Sequence, residues 1–287
     1  MLDDACCERI REAAGSPPAG STPLSGGCIA DVLRVTLEDG TSVVVKRDGG
    51  PAPSLDIEGA MLRDLAETRT VRTPAVLLDD PDLLVIEHIE NDGIRSDEGG
   101  AAFARQLASL HACSAPAFGY PRDTLIGSLA QENAWMDAWP RFFAERRLLP
   151  MTRLARDRRG IGPEDAARLE ALAGRVEDLI GEGPDRPALV HGDLWSGNVL
   201  WKSGAVAGVI DPAISYADPE IELAFIDLMG CFGNAFYRAY EEALGIREGF
   251  WETRRDLYNL YPLLVHAALF GGGYGSSAMQ IARRLGF

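Results

Sequence analysis

The sequence predicts an α+β protein of two lobes, in which a small antiparallel β-sheet with one main helix precedes a larger, mainly α-helical part. Two observations support this fold class. Strand-like runs are concentrated in the first ninety residues, whereas apolar residues recur mainly at helical spacing beyond residue 100. The polar, glycine-containing stretch 91–100 lies between these regions. We therefore predict an N-terminal lobe over residues 1–90 and a C-terminal lobe over residues 91–287.

The small lobe should begin with an amphipathic helix over residues 1–15, which the proline- and glycine-rich run SPPAGSTPLSGG ends. Two strands are predicted in CIADVLRVTL and TSVVVKRD, and Asp39-Gly40 between them is a hairpin-turn signal. The run LDIEGAMLRDLAET has the apolar spacing of a helix. Two further strands are predicted in PAVLLDD and DLLVIEHIE, which completes the small sheet.

The larger lobe should contain helices in AAFARQLASLHA, NAWMDAWPRFFAERRLL and GPEDAARLEALAGRVEDLIGEG, and in an aromatic-rich end from Phe250 onward. One set of aromatic residues recurs at i, i+4, i+7 and i+8, the pattern of a buried helix stripe: Trp135, Trp139, Phe142 and Phe143. Three side chains near the end are expected in the core first and in a pocket wall second: Tyr258, Tyr261 and His266.

Composition limits the classes of function. The 287 residues are 46% hydrophobic and 25% charged, which is typical of a globular protein with room for two cores. A net charge of −15 argues against nucleic acid or an anionic membrane as a partner and suits a cationic small substrate. The sequence has no apolar run of 18 residues and no leader-like N-terminus, and its five cysteines lack metal-ligand spacing. These features favour a cytoplasmic setting.

The segment LVHGDLWSGN, followed by Ile210-Asp211-Pro212, carries the strongest functional signal. Asp193 follows His191 by two residues, Asn198 comes five residues later, and Asp211 thirteen beyond that. This spacing suits phosphoryl transfer: Asp193 can orient a hydroxyl and accept its proton, while Asn198 and Asp211 offer oxygen ligands to Mg²⁺. The flanking apolar runs predict short strands that hold these side chains. His191 is expected to have a structural role, in which it hydrogen-bonds nearby backbone.

The small lobe supplies candidates for nucleotide binding. Gly26, Gly27 and Cys28 lie at the start of the first predicted strand, where backbone N–H groups can cover phosphates. Lys46 ends a strand and Glu58 lies twelve residues later on the next helix, a pairing that holds the α- and β-phosphates in kinases. The backbone groups of two residues near the end of the last strand are predicted to pair with the adenine edge: Glu87 and Ile89.

Three residues are candidates for binding the acceptor. Trp195 lies two residues past Asp193, where its indole can pack on a sugar face or a cationic amine; the alternative is an anchor in the lobe core. Asp218 and Glu220 follow the second metal candidate and can attract a protonated amine. Their alternative role is to cap the helix that begins near Pro219.

Together these motifs resemble the fructosamine kinase family, a branch of the protein-kinase-like superfamily close to aminoglycoside and choline phosphotransferases. The resemblance extends over nearly the whole chain, through GGCI, VVVK, IGSLAQENAWMDAWPRFFAERRL, HGDLWSGNVLW, IDPAISYADPEIELAF and GFWETRRDLYNLYPLLVHAALFGGGY. The tryptophan in the catalytic loop and the LYNLYPLLVH tail are the more specific features. Two residues depart from the expected pattern: Glu222 stands in place of an aspartate, and Val265 in place of an asparagine.

The resemblance implies a bilobal, protein-kinase-like fold and ATP- and Mg²⁺-dependent phosphorylation of the 3-hydroxyl of a ketosamine, either free or protein-bound, which releases the amine. A kinase for aminoglycosides or amino alcohols is the alternative. A silent nucleotide-binding module is less favoured, because the candidate base, lysine and metal ligands are all present. Cys28 follows the glycine pair, so the protein is expected to be a monomer or a dimer formed by oxidation of this thiol.

Overall fold

The computed structural model describes residues 2–24, 31–181 and 183–287. Five strands form an antiparallel sheet in the order β1-β2-β3-β5-β4. Their bounds are Pro18–Pro23 (β1), Asp31–Leu37 (β2), Ser42–Arg47 (β3), Val76–Asp80 (β4) and Leu83–Glu87 (β5). Two helices accompany the sheet, Asp4–Ala14 (α1) and Leu55–Thr68 (α2). The small lobe predicted from the sequence is thus confirmed as an α+β unit.

Alternation along the strands divides the sheet's apolar residues between the two helices. Val43, Val45, Leu83 and Val85 cluster with Ile10 of α1. On the opposite side, Leu84 and Ile86 cluster with Leu62 of α2. Successive side chains of a strand point to opposite faces, so each helix covers one face of the sheet.

Strand β1 was not predicted, because its segment contains prolines and a glycine. It pairs only with β2, with a register irregularity between Pro18 and Gly20. Proline is tolerated on an edge strand because its missing N–H need not face a neighbour. The segment that ends α1 therefore also extends the sheet.

The larger part of the chain is mainly helical, as predicted. Its helices are Asp97–His111 (α3), Trp139–Phe142 (α4), Leu149–Asp157 (α5), Pro163–Ala173 (α6), Val176–Ile180 (α7), Glu220–Leu228 (α8), Asn234–Ala243 (α9), Arg255–Phe270 (α10) and Tyr274–Arg284 (α11), with π-helical turns at Phe143–Leu148 and Phe250–Arg254. In the described part of this region there are also three two-stranded ribbons: Thr124–Ile126 (β6) with Leu129–Gln131 (β7), Ala188–Val190 (β8) with Ser215–Ala217 (β11), and Val199–Lys202 (β9) with Ala205–Val209 (β10).

The predicted helix over residues 133–149 begins only at Trp139. Pro140 occupies its first turn, and Trp139, Phe142 and Phe143 are buried as predicted. Trp135 lies before the helix with 45% of its surface exposed, so its assignment to the core stripe was wrong. Its i−4 spacing from Trp139 is coincidental, because residues 132–138 are not helical.

Helix α2 also packs against the larger lobe. Met61 and Leu65 of this helix belong to the same apolar core as Phe103 of α3. Asp64 accepts a hydrogen bond from the Tyr120 hydroxyl at 2.5 Å and forms an ion pair with Arg122. Helix α2 is therefore shared by the two lobes, and the boundary at residue 90 remains a prediction.

None of the helices in the described ranges combines the length and the apolar character that crossing a bilayer requires.

Candidate active site

Two short ribbons hold the predicted catalytic segment. Asp193 lies in the loop between β8 and β9, Asn198 directly precedes β9, and Asp211 follows β10. The backbone N–H of Ala213 donates to the carbonyl of His191 at 2.8 Å, which ties the loop to the segment after Asp211. The two predicted sections of the motif are thus brought together by backbone pairing.

Gly192 explains why a glycine separates His191 from Asp193. Its φ is +85°, and a Cβ atom there would lie 2.2 Å from the carbonyl oxygen of Ala213. Both the left-handed conformation and the close approach exclude a side chain. Asp211 also has a positive φ, +55°, which is uncommon for a non-glycine residue.

The side chains of Asp193 and Asn198 contact each other directly. The Asn198 Nδ2 donates to Asp193 Oδ2 at 3.0 Å and to the Asp193 carbonyl at 2.9 Å. Burial, followed by the nearby carboxylate of Asp211, raises the pKa of Asp193 to about 7, although the bond from Asn198 opposes this. Asp193 is accordingly a stronger base than an exposed aspartate.

Lys46 lies between two carboxylates. Its Nζ is 2.7 Å from Glu58 Oε1 and 2.5 Å from Asp211 Oδ1. Burial disfavours the charged ammonium, but the two carboxylates outweigh it and raise the Lys46 pKa above its usual value. The predicted strand-to-helix pair is therefore formed, and the lysine also reaches the metal candidate of the other lobe.

The donor atoms at the predicted metal position suit Mg²⁺. Among the described residues, the hydrogen bonds of the Asn198 side chain all use its nitrogen, which leaves its amide oxygen as the candidate ligand. Asp211 adds a partly exposed carboxylate in the same cavity. Mg²⁺ typically takes one or two protein oxygens and completes its shell with water and phosphates. Within the described ranges no cluster of three or more His, Cys, Asp or Glu side chains is arranged to hold a metal.

One cavity of about 490 Å³ connects these groups. Its lining includes Lys46, Glu58, Asp193, Asn198 and Asp211. Trp195 also lines it, half-buried, with its indole folded over Gly197, where a Cβ would lie 2.4 Å from the ring. Trp195 is therefore a cavity wall and not an anchor of the lobe core.

Two sequence-predicted nucleotide residues, Glu87 and Ile89, are not among the described residues that line the cavity. Glu87 ends β5 and Ile89 follows it. The Glu87 N–H donates to the carbonyl of Ala75 at 2.8 Å, and Ile89 is buried. Gly26, Gly27 and Cys28 lie outside the described residues, so the phosphate loop and its thiol remain predictions.

Asp218 and Glu220 do not line the cavity, contrary to the expectation that they meet the substrate's amine. Both are buried and bound by protein groups: Arg247 pairs with each of them, and Arg254 donates to Glu220 at 2.6 Å. The Tyr258 hydroxyl donates to Asp218 at 2.7 Å. Asp218 also accepts from the Glu220 N–H at 3.0 Å, which agrees with the alternative role at the start of α8.

His191 has the structural role predicted for it. Its Nε2 lies 3.1 Å from the carbonyl of Ile210, and its Nδ1 accepts from the Asp193 N–H at 3.3 Å. Burial lowers the pKa of His191, so the ring is neutral and its Nε2–H donates to the carbonyl. The His191 ring therefore links the backbone of Asp193 to that of Ile210, which directly precedes Asp211.

Glu222 is a functional residue that the sequence revealed only as a departure from a pattern. Its carboxylate accepts from the backbone N–H of Gly192 at 2.6 Å and of His191 at 3.1 Å. His111 Nε2 lies 2.9 Å away on the same carboxylate, and the Tyr240 hydroxyl is 2.7 Å from His111 Nδ1. Glu222 therefore anchors the loop that carries Asp193 to two other helices.

Comparisons with known proteins find similar proteins over almost the whole chain. A family model described as fructosamine kinase matches residues 3–286. A probable ketoamine kinase of Synechocystis is 35% identical over 266 residues, covering 91% of this chain and 88% of the relative. The chloroplastic protein-ribulosamine 3-kinase of Arabidopsis thaliana is 35% identical over 269 residues, covering 90% and 80%.

Solved structures are similar over the same length. A crystal structure from Thermobifida fusca, provisionally assigned as a fructosamine-3-kinase, has a TM-score of 0.88 at 33% identity and covers 99% of both chains. An aminoglycoside phosphotransferase in ternary complex with ADP and hygromycin B has a TM-score of 0.66 at 16% identity and covers 99% of both chains. This second likeness concerns the fold alone.

Proposed function

The chain belongs to the fructosamine kinase family, and we propose that it transfers the γ-phosphoryl group of ATP to the 3-hydroxyl of a ketosamine. The observation that carries the proposal is the convergence of Lys46, Glu58, Asp193, Asn198 and Asp211 on one cavity. This set combines a cation for phosphates, oxygen ligands for a divalent metal and a buried base for a hydroxyl.

On the nucleotide side, Lys46 would hold the α- and β-phosphates. Glu58 fixes its position through the 2.7 Å contact. Asn198 and Asp211 would hold Mg²⁺, which offsets the charge that develops on the transferring group. Because the transition state of phosphoryl transfer is loose, such positioning and charge compensation supply most of the rate.

On the acceptor side, Asp193 would align the sugar hydroxyl and accept its proton. Its position is fixed by Asn198 on one side and by the backbone bonds of Gly192 and His191 to Glu222 on the other. Trp195 offers a flat face beside the base for the sugar or for the protonated amine. Because Asp218 and Glu220 form ion pairs with arginines, the Trp195 indole is the better candidate for contact with the substrate's protonated amine.

Cellular setting and assembly are further parts of the proposal. Cys6, Cys7, Cys113 and Cys231 are free thiols, which agrees with a reducing cytoplasm. Both free and protein-bound ketosamines remain candidate substrates, and the redox-sensitive dimer through Cys28 remains an alternative to a monomer.

An ATP-consumption assay with Mg²⁺ on a substrate panel tests the activity. The panel contains fructose– and ribulose–amine adducts, aminoglycosides and choline, and ³¹P NMR locates the phosphate on the product. We expect turnover of the adducts alone. Preferential phosphorylation of an aminoglycoside or of choline would refute the proposal.

Asp193→Asn tests the role of the base. It should lower turnover by roughly 10²–10⁴-fold, the usual contribution of a general base, with little change in ATP affinity measured by calorimetry. Near-normal turnover by this variant would contradict the assignment of Asp193.

A further inference from the structure

We infer that Tyr261 recognises the sugar, by accepting a hydrogen bond from a hydroxyl group on carbon 4, 5 or 6 of the ketosamine. Tyr261 lies on α10, is buried, and lines the cavity together with Gln131 and Arg147. Its hydroxyl proton is committed to the protein, which leaves its oxygen as an acceptor for the ligand. This inference rests on the proposed function, because it assumes that a ketosamine occupies the cavity.

Gln131, the last residue of β7, fixes the direction of the hydrogen bond that Tyr261 makes. The Tyr261 hydroxyl lies 2.8 Å from Gln131 Oε1, and Gln131 Nε2 lies 3.1 Å from the carbonyl oxygen of Ala213. A carbonyl oxygen can only accept, so the amide nitrogen of Gln131 must face Ala213 and its amide oxygen must face Tyr261. Because that amide oxygen also can only accept, the Tyr261 hydroxyl must donate its one proton to it.

Thr124 holds the second proton of the Gln131 amide. Gln131 Nε2 donates to Thr124 Oγ1 at 2.9 Å, and Asn133 Nδ2 donates to the same oxygen at 2.8 Å. Thr124 donates its own proton to the carbonyl of Ile214 at 3.3 Å. All three polar side chains are buried, so a rotated Gln131 amide would leave buried groups without partners. The Tyr261 hydroxyl therefore keeps one orientation.

The oxygen of Tyr261 retains its capacity to accept a hydrogen bond. A phenol hydroxyl can donate one bond and accept another, and no residue in the described ranges donates to this oxygen. Burial, the largest influence, raises the pKa of Tyr261 to about 12, while the charge of Arg147 lowers it and that of Asp193 raises it. The hydroxyl is therefore neutral near pH 7. It offers the cavity an acceptor and keeps its donor for Gln131.

The same bonds connect Tyr261 with the catalytic segment. The carbonyl of Ala213 accepts from Gln131, and the N–H of Ala213 donates to the carbonyl of His191 at 2.8 Å. Asp193 lies two residues after His191, and its charge acts on the Tyr261 hydroxyl. Tyr261 and Asp193 also line the same cavity. We therefore expect one sugar to contact both side chains.

The charge of Arg147 disfavours a protonated amine at this position. Its buried guanidinium donates to three neutral oxygens: the carbonyls of Glu132 at 2.7 Å and Arg146 at 3.1 Å, and Asn133 Oδ1 at 2.6 Å. Burial lowers the pKa of Arg147 to about 10, so the group is still a cation near pH 7. The guanidinium carbon lies 5.9 Å from the centre of the Tyr261 ring. A second cation at the Tyr261 oxygen would be repelled by it.

This repulsion orients the sugar. A ketosamine carries its amine on carbon 1 and the reacting hydroxyl on carbon 3. With that hydroxyl at Asp193 and the amine beside Trp195, carbons 4 to 6 form the end of the sugar that meets Tyr261. The hydroxyl groups on these carbons are neutral donors, and neutral donors are what the Tyr261 oxygen can bind beside a cation.

Tyr261→Phe combined with altered sugars tests the contact. The substrates are the methylamine adducts of fructose and of its 4-deoxy, 5-deoxy and 6-deoxy forms, together with an analogue in which an ether oxygen replaces the amine. In the parent, removal of the contacted hydroxyl should lower kcat/KM by roughly two- to tenfold. The same removal should have no further effect in Tyr261→Phe, whose acceptor is already gone. Comparing both proteins on each substrate cancels the intrinsic reactivity of the analogue and any general damage by the substitution.

Tyr216→Phe is the matched control, because Tyr216 lies on β11 between two cavity-lining residues, Ser215 and Ala217, but does not line the cavity itself. It should respond to every analogue as the parent does. A fluorine at the contacted carbon gives a second measurement, on the parent alone. Fluorine cannot donate a hydrogen bond, so this adduct should be at least as poor as the deoxy adduct; recovery of the lost activity would overturn the role of Tyr261 as the acceptor.

The remaining outcomes separate this contact from the activity itself. Equal losses in the parent and in Tyr261→Phe for every deoxy sugar would overturn this inference alone. If Tyr261→Phe instead removed the effect of the ether analogue, the tyrosine would bind the amine, and the hydroxyl contact would be refuted. Failure of every adduct in the parent, with turnover of an aminoglycoside, would overturn the proposed function.

Discussion

The substitution Glu222→Gln tests how the catalytic loop is held. Glu222 is 2% exposed and receives three hydrogen bonds, from His111 and from the backbone of His191 and Gly192. Glutamine has nearly the same shape but only one acceptor oxygen, and its NH₂ group must face at least one of these donors. The variant therefore changes the charge and hydrogen bonding while preserving volume.

The size of the effect follows from the bonds lost. A hydrogen bond to a charged group contributes about 1.5–3 kcal/mol, and an unpaired buried donor adds a penalty of similar size. We expect a loss of about 2–4 kcal/mol in the free energy of unfolding. At about 2 °C per kcal/mol for a chain of this length, the melting temperature should fall by roughly 4–8 °C.

The pH dependence gives a second readout. Burial alone would raise the pKa of Glu222, but the bond from His111 and the other donors lower it below the usual 4.5. A lowered pKa stabilises the fold above the unfolded value, and this contribution is lost as the pH falls through the folded pKa. The difference in stability between parent and Glu222→Gln should therefore shrink below about pH 4.5.

Urea unfolding at several pH values and steady-state kinetics would measure both effects. Turnover should fall because Gly192 adjoins Asp193, while the KM for ATP should change little. Glu241→Gln is the control, since Glu241 is exposed on α9. A Glu222 variant as stable and active as the parent would refute the anchoring role.

Three further substitutions address the two substrates separately. Lys46→Met removes the cation between Glu58 and Asp211, so turnover should fall by roughly 10²-fold and the KM for ATP should rise in steady-state assays. Gly197→Ala places a methyl group where the Trp195 indole lies, so the KM for the ketosamine should rise several-fold, at about the same KM for ATP. Asp64→Asn weakens the contacts of α2 with Tyr120 and Arg122. Because α2 carries Glu58, the KM for ATP should rise by about two- to fivefold.

Matched controls accompany these variants. Lys202→Met alters an exposed lysine of β9 and should leave both KM values unchanged. Gly20→Ala adds a methyl group with no atom within 4 Å, and should behave like the parent. An unchanged KM for ATP in Asp64→Asn would contradict the role of Asp64 in holding α2. A raised KM for ATP alone in Gly197→Ala would contradict the contact between Trp195 and the ketosamine.

Local periodicity was sufficient to predict most of the fold. The α2 run was predicted residue for residue, because its apolar spacing is helical. Strand β1 was missed because it contains prolines, which a strand tolerates only at the edge of a sheet. Whether a segment lies at an edge is decided by the tertiary structure and cannot be read from local sequence. Trp135 was misplaced because spacing alone cannot show where a helix begins, whereas Pro140 marked the first turn.

The site was predictable to the extent that its residues are close in sequence. The spacing from His191 to Asp211 identified the base and metal candidates from one segment. Asp218 and Glu220 were assigned to substrate because nothing local shows that Arg247 and Arg254 fold back onto them. The partnership of Glu222 with His111 likewise joins residues 111 positions apart.

Helix α2 packs against both the sheet and the larger lobe, which limits how the two can move relative to each other. Met61 and Leu65 hold α2 against the core that contains Phe103. If the cavity opens while these contacts persist, the five-stranded sheet must move relative to α2, and α2 must stay with the larger lobe. The pivot then lies between the sheet and α2, and the Lys46–Glu58 bond joins the two sides. Amide hydrogens of α2 should accordingly exchange as slowly as those of α3, and the edge strand β1 should exchange faster than both.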